Sequence, residues 1–174
     1  MFGLPKVHKI VTLCTGNATR SVIAQLWLHR ARPDLEVVGG GTLSIEGLPM
    51  SIRTRAALGR LGLIDPGHRS HQLVPSDLVA VDLVLAMEAD HVRWVRREHP
   101  EVADRTATLR RLVDQLDPGG SPFAPRLAAL DLAKVEVAEA EDVIDPAGGD
   151  QPEFDRCADE LNELLSELLP LLEE

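Results

Sequence analysis

Short β-rich runs alternate with helix-length stretches along this chain, and that alternation restricts it to folds built on a parallel sheet. Lys9-Ile10-Val11-Thr12-Leu13 opens the series as a strand. Residues 20–30 follow as a helix with Val22, Ile23, Leu26 and Trp27 on one face. Leu35-Glu36-Val37-Val38 reads as a second strand that ends in Gly39-Gly40-Gly41, and residues 50–61 read as helix. The long apolar run 79–87, dense in Val and Leu, suits a central parallel strand covered on both faces. Residues 88–98 are helical again, and Thr106-Ala107-Thr108-Leu109 makes a fourth strand. After a loop at 117–125, residues 126–140 read as an added helix. In the final stretch Phe154, Cys157, Ala158, Leu161, Leu164, Leu165, Leu168 and Leu169 recur at helical spacing. The expectation is one α/β domain over residues 1–174: a four-stranded parallel sheet with helices on both faces and an insertion at about 118–140.

Composition removes several classes of function. The 28 acidic against 18 basic residues leave a net charge of −10, the wrong sign for a nucleic-acid or anionic-lipid partner. Aromatics are 3% and Tyr is absent, so no platform for stacking bases can be built. No apolar run approaches the roughly 20 residues that span a bilayer, and residues 1–9 lack the apolar segment of a leader. The two cysteines, Cys14 and Cys157, rule out a disulfide scaffold and leave a cysteine-built zinc site short of ligands. That usage points to a reducing cytoplasm. His68, His71, His91 and His99 fit no metal-ligand spacing, and Cys157 falls on the apolar stripe of the last helix as packing. Arg93, Arg96, Arg97, Arg110 and Arg111, with acidic neighbours, read as a solvated mixed-charge face.

In open α/β sheets, ligands gather outside the carboxyl ends of the strands. The segment leaving the first strand is Cys14-Thr15-Gly16-Asn17-Ala18-Thr19-Arg20-Ser21. Gly16 and Asn17 tolerate left-handed backbone angles, so the loop can curl its N–H groups inward as an anion nest. The following helix adds unpaired N–H groups and a partial positive charge. Arg20 adds a planar fork that can hold two phosphate oxygens. Cys14 lies at the floor of that nest, where the N–H groups, the helix end and Arg20 all favour thiolate over thiol. Ser21 can donate a hydrogen bond to the sulfur. The arrangement that binds an anion is therefore the one that activates a nucleophile.

These residues, with Val11-Thr12-Leu13 before them, resemble the low-molecular-weight protein tyrosine phosphatases, whose pattern is Cys-x-Gly-Asn-x-Cys-Arg-Ser. Further matches follow in order. Gly67-His68-Arg69-Ser70-His71-Gln72-Leu73 is similar to the family's Gly-His-Arg-Ala-Arg-Gln-Leu, the stretch Asp82 to Glu88 to a segment ending Met-Asp, and Asp145-Pro146 to an Asp-Pro loop. The resemblance implies a flavodoxin-like fold of the phosphotyrosine phosphatase I type and hydrolysis of phosphomonoesters on a phosphorylated protein. It implies Cys14 as nucleophile, Arg20 as phosphate clamp and Asp145 as general acid, and places phosphate on the loop Thr15, Gly16, Asn17, Ala18, Thr19, Arg20 and Ser21. Ser21, Asn17 and His68 would support that loop. It implies neither metal nor cofactor, with inorganic phosphate as product or inhibitor.

The chain departs from the pattern at several points. Thr19 stands where most members carry a second cysteine, so no partner is there to form a protective disulfide with Cys14. Val22 replaces a proline, and Gly39 replaces a serine that contacts the loop Asn, leaving His68 as the expected support for Asn17. Ala147 and Gly148 follow Asp145-Pro146 where tyrosine phosphatases often carry rings, and the loop Leu43-Ser44-Ile45-Glu46 offers aliphatic walls only. The run Asp-Pro-Ala-Gly-Gly also resembles the Asp-Pro-Phe-Gly-Gly of bacterial relatives that include protein arginine phosphatases, which carry Thr where Ala18 stands. Three readings stay open: a tyrosine phosphatase, an arginine phosphatase, and a phosphate-binding module with weak catalysis. Arsenate reductases share the loop but need further cysteines between residues 82 and 97, and none is there.

Overall fold

The β-branched run after Lys9 forms the central strand of the computed structural model, which describes residues 6–173. The leader reading for residues 1–9 falls partly outside those described residues. Four parallel strands form: β1 (Lys9–Cys14), β2 (Glu36–Gly41), β3 (Leu83–Ala86) and β4 (Thr106–Thr108), in the spatial order β2-β1-β3-β4. The chain switches direction across the sheet at β1, so the crevice beyond its carboxyl end is the ligand position of this architecture. Six helices connect and cover the strands: α1 (Arg20–Ala31), α2 (Ile52–Arg60), α3 (Ala89–Glu98), α4 (Leu109–Gln115), α5 (Phe123–Ala128) and α6 (Gln151–Leu168).

Side-chain alternation along the strands divides the core in two. Ile10, Leu83 and Leu85 face α1 and α6, whereas Val11, Leu13 and Val84 face Leu73, Leu78, Val95 and Val102. The stripe of α6 reads as the spacing predicts, with Phe154, Cys157, Ala158, Leu161, Leu164, Leu165 and Leu168 all buried. Among the described residues no helix is long and apolar enough to cross a membrane.

β2 ends in Gly39-Gly40-Gly41, and each glycine pairs with β1, Cys14 opposite Gly41. A Cβ at Gly41 would lie 2.5 Å from the Thr15 carbonyl oxygen, so glycine here lets the nest approach the strand. The run 79–87 is not one strand. Val79 is exposed and Ala80 has φ +56°, and Asp82 accepts the amides of His8 and Lys9 at 2.7 and 2.9 Å, so the strand begins only at Leu83.

The helix expected at 126–140 shrinks to α5, which starts earlier, at Phe123 inside the expected loop, and ends at Ala128. The supposedly solvated arginines explain this. Arg96 donates to the carbonyls of Leu132 and Val135, Arg93 to that of Val137 and Arg111 to that of Glu136, at 2.6–2.8 Å. Guanidinium groups thus satisfy carbonyls that helical amides would otherwise bond, and Arg111 is buried against Glu141. Arg97 does stay on the surface, beside Glu98.

Candidate active site

β1 ends at Cys14 and α1 begins at Arg20, so the five residues between them must reverse the chain over the carboxyl edge of the sheet. Asn17 takes the left-handed conformation, φ +49°, that this curl requires. The amides of Thr15, Gly16, Asn17, Ala18 and Thr19 have no acceptor among the described residues. They are free donors at the N-terminus of α1, the setting for an anion.

Buried polar contacts fix the loop from below and behind. The Asn17 side chain is fully buried. Its Nδ2 donates to Ser21 Oγ at 2.9 Å and its Oδ1 accepts the His71 amide at 2.9 Å. The Asn17 carbonyl accepts from His68 Nε2 at 2.9 Å and from Ser70 Oγ at 3.1 Å. His68 thus contacts Asn17 at the latter's backbone carbonyl. Gly39 does not leave a gap behind Asn17. The Gln25 side chain fills it, with Oε1 2.4 Å from where a Cβ would sit. Sequence reasoning missed Ser70, His71 and Gln25, because each is brought to the loop by tertiary packing.

Cys14 is buried, its Sγ 3.0 Å from Ser21 Oγ. Because Asn17 Nδ2 donates to that hydroxyl, the hydroxyl proton is free to point at the sulfur. Thr19, in place of a second cysteine, joins its hydroxyl to that of Thr54 on α2 at 2.9 Å. On the opposite side Thr15 Oγ1 meets His91 Nε2 at 3.0 Å, while His91 Nδ1 accepts the Glu88 amide at 3.1 Å. That second bond fixes the tautomer: Nε2 carries the proton and donates to Thr15. Burial, reinforced by the nearby Arg20 charge, pushes the His91 pKa down to about 3, so the ring is neutral at physiological pH.

Arg20 links the nest to the loop before α6. Its side chain is buried, one terminal nitrogen shared between the Glu88 carboxylate and the Val143 carbonyl (2.7 Å). The other terminal nitrogen lies 3.3 Å from Asp145 Oδ2. Asp145 is exposed, and its second oxygen accepts the Ala147 amide at 3.0 Å in a local turn. The structure therefore places Asp145 against Arg20, the first residue of the helix into which the loop after Cys14 leads. Glu88 is a further site residue that the pattern pointed to only as the end of a segment.

Cys157 lies behind the Asp145 loop, lining a cavity of about 380 Å³ with Ile144, Pro146 and Arg156. Burial pushes its thiol up to about 12, which keeps it protonated and fits its packing role. Among the described residues no group of three His, Cys, Asp or Glu side chains is placed to hold a metal ion.

The four-stranded parallel sheet with a Cys-x5-Arg loop leaving β1 is the fold of the low-molecular-weight phosphatase class. The family model for low molecular weight phosphotyrosine protein phosphatase matches residues 9–119, and the chain belongs to that family of hydrolases. It is 34% identical over 130 residues to a protein-arginine-phosphatase of Geobacillus stearothermophilus, covering 71% of this chain and 87% of the relative. It is 30% identical over 176 residues to a low molecular weight protein-tyrosine-phosphatase of Streptomyces coelicolor, covering 96% and 94%. The solved structure of the low molecular weight protein tyrosine phosphatase from T. tengcongensis superposes with a TM-score of 0.74 at 28% identity, covering 93% of this chain and 97% of that one.

Proposed function

We propose that the protein hydrolyses phosphotyrosine on protein substrates through a cysteinyl-phosphate intermediate. The observation that carries this reading is the buried Cys14 at the start of a loop of free amides that ends at Arg20, with Asp145 paired to Arg20. The phosphoryl group binds in the nest, where the amides and Arg20 neutralise its equatorial oxygens. Thiolate Cys14 attacks phosphorus, and Asp145 gives its proton to the departing phenol oxygen. Ser21 stabilises the thiolate before attack and when it departs. Water then attacks the cysteinyl-phosphate with Asp145 as base, releasing inorganic phosphate and restoring the thiolate. A cytoplasmic setting with a phosphorylated protein as partner belongs to the same reading.

A second substrate, phosphoarginine, is favoured by two observations. Among the described residues, the positions expected to flank the substrate carry no aromatic ring: Ala147 and Gly148 follow the Asp-Pro pair, and the exposed Leu43 and Ile45 are aliphatic. The relative from G. stearothermophilus is named for phosphoarginine. The test is turnover of matched phosphotyrosine and phosphoarginine peptides, with Cys14→Ser as control. A higher kcat/KM on phosphotyrosine supports the first reading, and the reverse order supports the second. No Cys14-dependent turnover of either leaves only phosphate binding.

A further inference from the structure

His71 occupies an unusual position beside the nest. Its ring nitrogens each face a carboxylate: Nε2 lies 2.8 Å from Asp77 Oδ2, and Nδ1 lies 3.2 Å from Glu46 Oε1. A neutral imidazole has one N–H and can serve one of these oxygens, whereas an imidazolium serves both. The geometry therefore calls for the cation. In the related family segment this place is filled by arginine, which is charged at every pH the protein meets.

The two carboxylates belong to different parts of the crevice. Glu46 sits on the loop that carries the exposed Leu43 and Ile45, and it also accepts the Gln72 amide. That loop is anchored to the nest by Thr42 and Leu43, whose amides donate to the Cys14 and Thr15 carbonyls at 2.9 Å. Asp77 belongs to the short 3-10 helix Pro75–Leu78 and also accepts the Val74 amide. The His71 backbone amide meanwhile holds Asn17. Other charged or titratable neighbours turn away: His68 donates to the Asn17 carbonyl, and Arg69 donates to the His68 carbonyl.

We propose that His71 is a positioning residue for substrate binding: its imidazolium fastens the Glu46 end of the loop that carries Leu43 and Ile45 to the frame of the nest, and loss of its proton loosens that end and shifts the wall. This rests on the reading of the crevice as a phosphatase site. The contacts with Asp77 and Glu46 outweigh partial burial and raise the His71 pKa above 6.5. The clamp therefore holds fully below 6.5 and is lost as pH climbs through the raised value. Because the anchoring bonds to Cys14 and Thr15 are backbone bonds, the chemical step keeps its geometry while the grip on the flanking substrate changes.

The experiment has two arms. In the first, the His71 ring is titrated by NMR in the wild type, Glu46→Gln and Asp77→Asn, while the amides of residues 43–46 are followed. The expected result is a wild-type midpoint above 6.5, lowered in each variant, with the wall amides moving in step. A midpoint at or below 6.5, or wall amides that ignore the titration, overturns the proposal.

In the second arm, KM and kcat for phosphotyrosine and phosphoarginine peptides are measured from pH 5.5 to 8.5 (about the span over which a raised histidine titrates) in the wild type and His71→Arg. The wild-type KM should rise roughly two- to fivefold more than that of the variant, the size of one partly exposed ion pair, with kcat in step. Parallel KM profiles overturn the proposal, because an arginine clamp cannot titrate. Absence of turnover on both peptides defeats the phosphatase reading instead, and the NMR arm still decides the clamp.

Discussion

The nest and the Asp145 loop meet at one ion pair but are built to opposite specifications. In the nest Cys14, Asn17, Arg20 and Ser21 are buried, and each side chain has a hydrogen-bond partner: Ser21 for Cys14, Ser21 and the His71 amide for Asn17, Glu88 and the Val143 carbonyl for Arg20. Across the crevice Ile144, Asp145 and Ala147 are exposed and Gly148 has φ +82°. Among the described residues, Asp145 itself is held by its own turn and by Arg20. The difference matches two chemical tasks. Charge on a transferring phosphoryl group is best met by donors that need not reorganise. A proton donor must reach different leaving groups and let water in afterwards, which suits a segment with few buried contacts.

Variants on the two sides should separate these tasks. Arg20→Lys removes the fork that bridges them, and kcat/KM for an aryl phosphate should fall by roughly 10²–10³. A loss below tenfold would mean that the free amides suffice. Asp145→Ala should lower kcat by about 10² while phosphate inhibition is kept, with larger losses as the leaving group becomes more basic. A loss independent of the leaving group would show that Asp145 only holds Arg20.

Stability should divide along the same line. His91 is neutral with a folded pKa of about 3, so the unfolded chain binds the extra proton between about 3 and 6.5. Stability is then complete above 6.5 and falls as pH drops toward 3, by an amount on the order of a few kcal/mol. His91→Gln should flatten that acid slope in denaturant melts at a series of pH values. An unchanged slope would place the acid sensitivity elsewhere. Asn17→Ala strips two buried partners at a left-handed position and should cost about 1–3 kcal/mol by urea melts. Ala147→Ser, on the exposed side, should change stability by less than about 0.5 kcal/mol.

The sheet and the loop that curls from β1 into α1 were legible because their signals are local. A β-branched run, the pair Gly16-Asn17 and Arg20 at the start of a helix each state their conformation within a few residues. The apolar stripe of α6 was legible for the same reason. What failed was set at a distance. The 126–140 helix gives way because Arg93, Arg96 and Arg111 take its carbonyls. The clasp of Glu88 on Arg20 and the support of Asn17 by Ser70 and His71 join segments far apart in sequence. No periodicity encodes such contacts. Asp145 could be selected only by family resemblance, since Asp-Pro also occurs at 65–66 and 117–118.

The central claim is that Cys14 accepts the phosphoryl group. Asp145→Ala enzyme mixed with an aryl phosphate and quenched in acid within one turnover should carry one phosphoryl group on the peptide containing Cys14, and Cys14→Ser should show no turnover of that ester. Rapid hydrolysis by the wild type, with no phosphoryl group ever found on Cys14 and activity surviving in Cys14→Ser, would contradict the account.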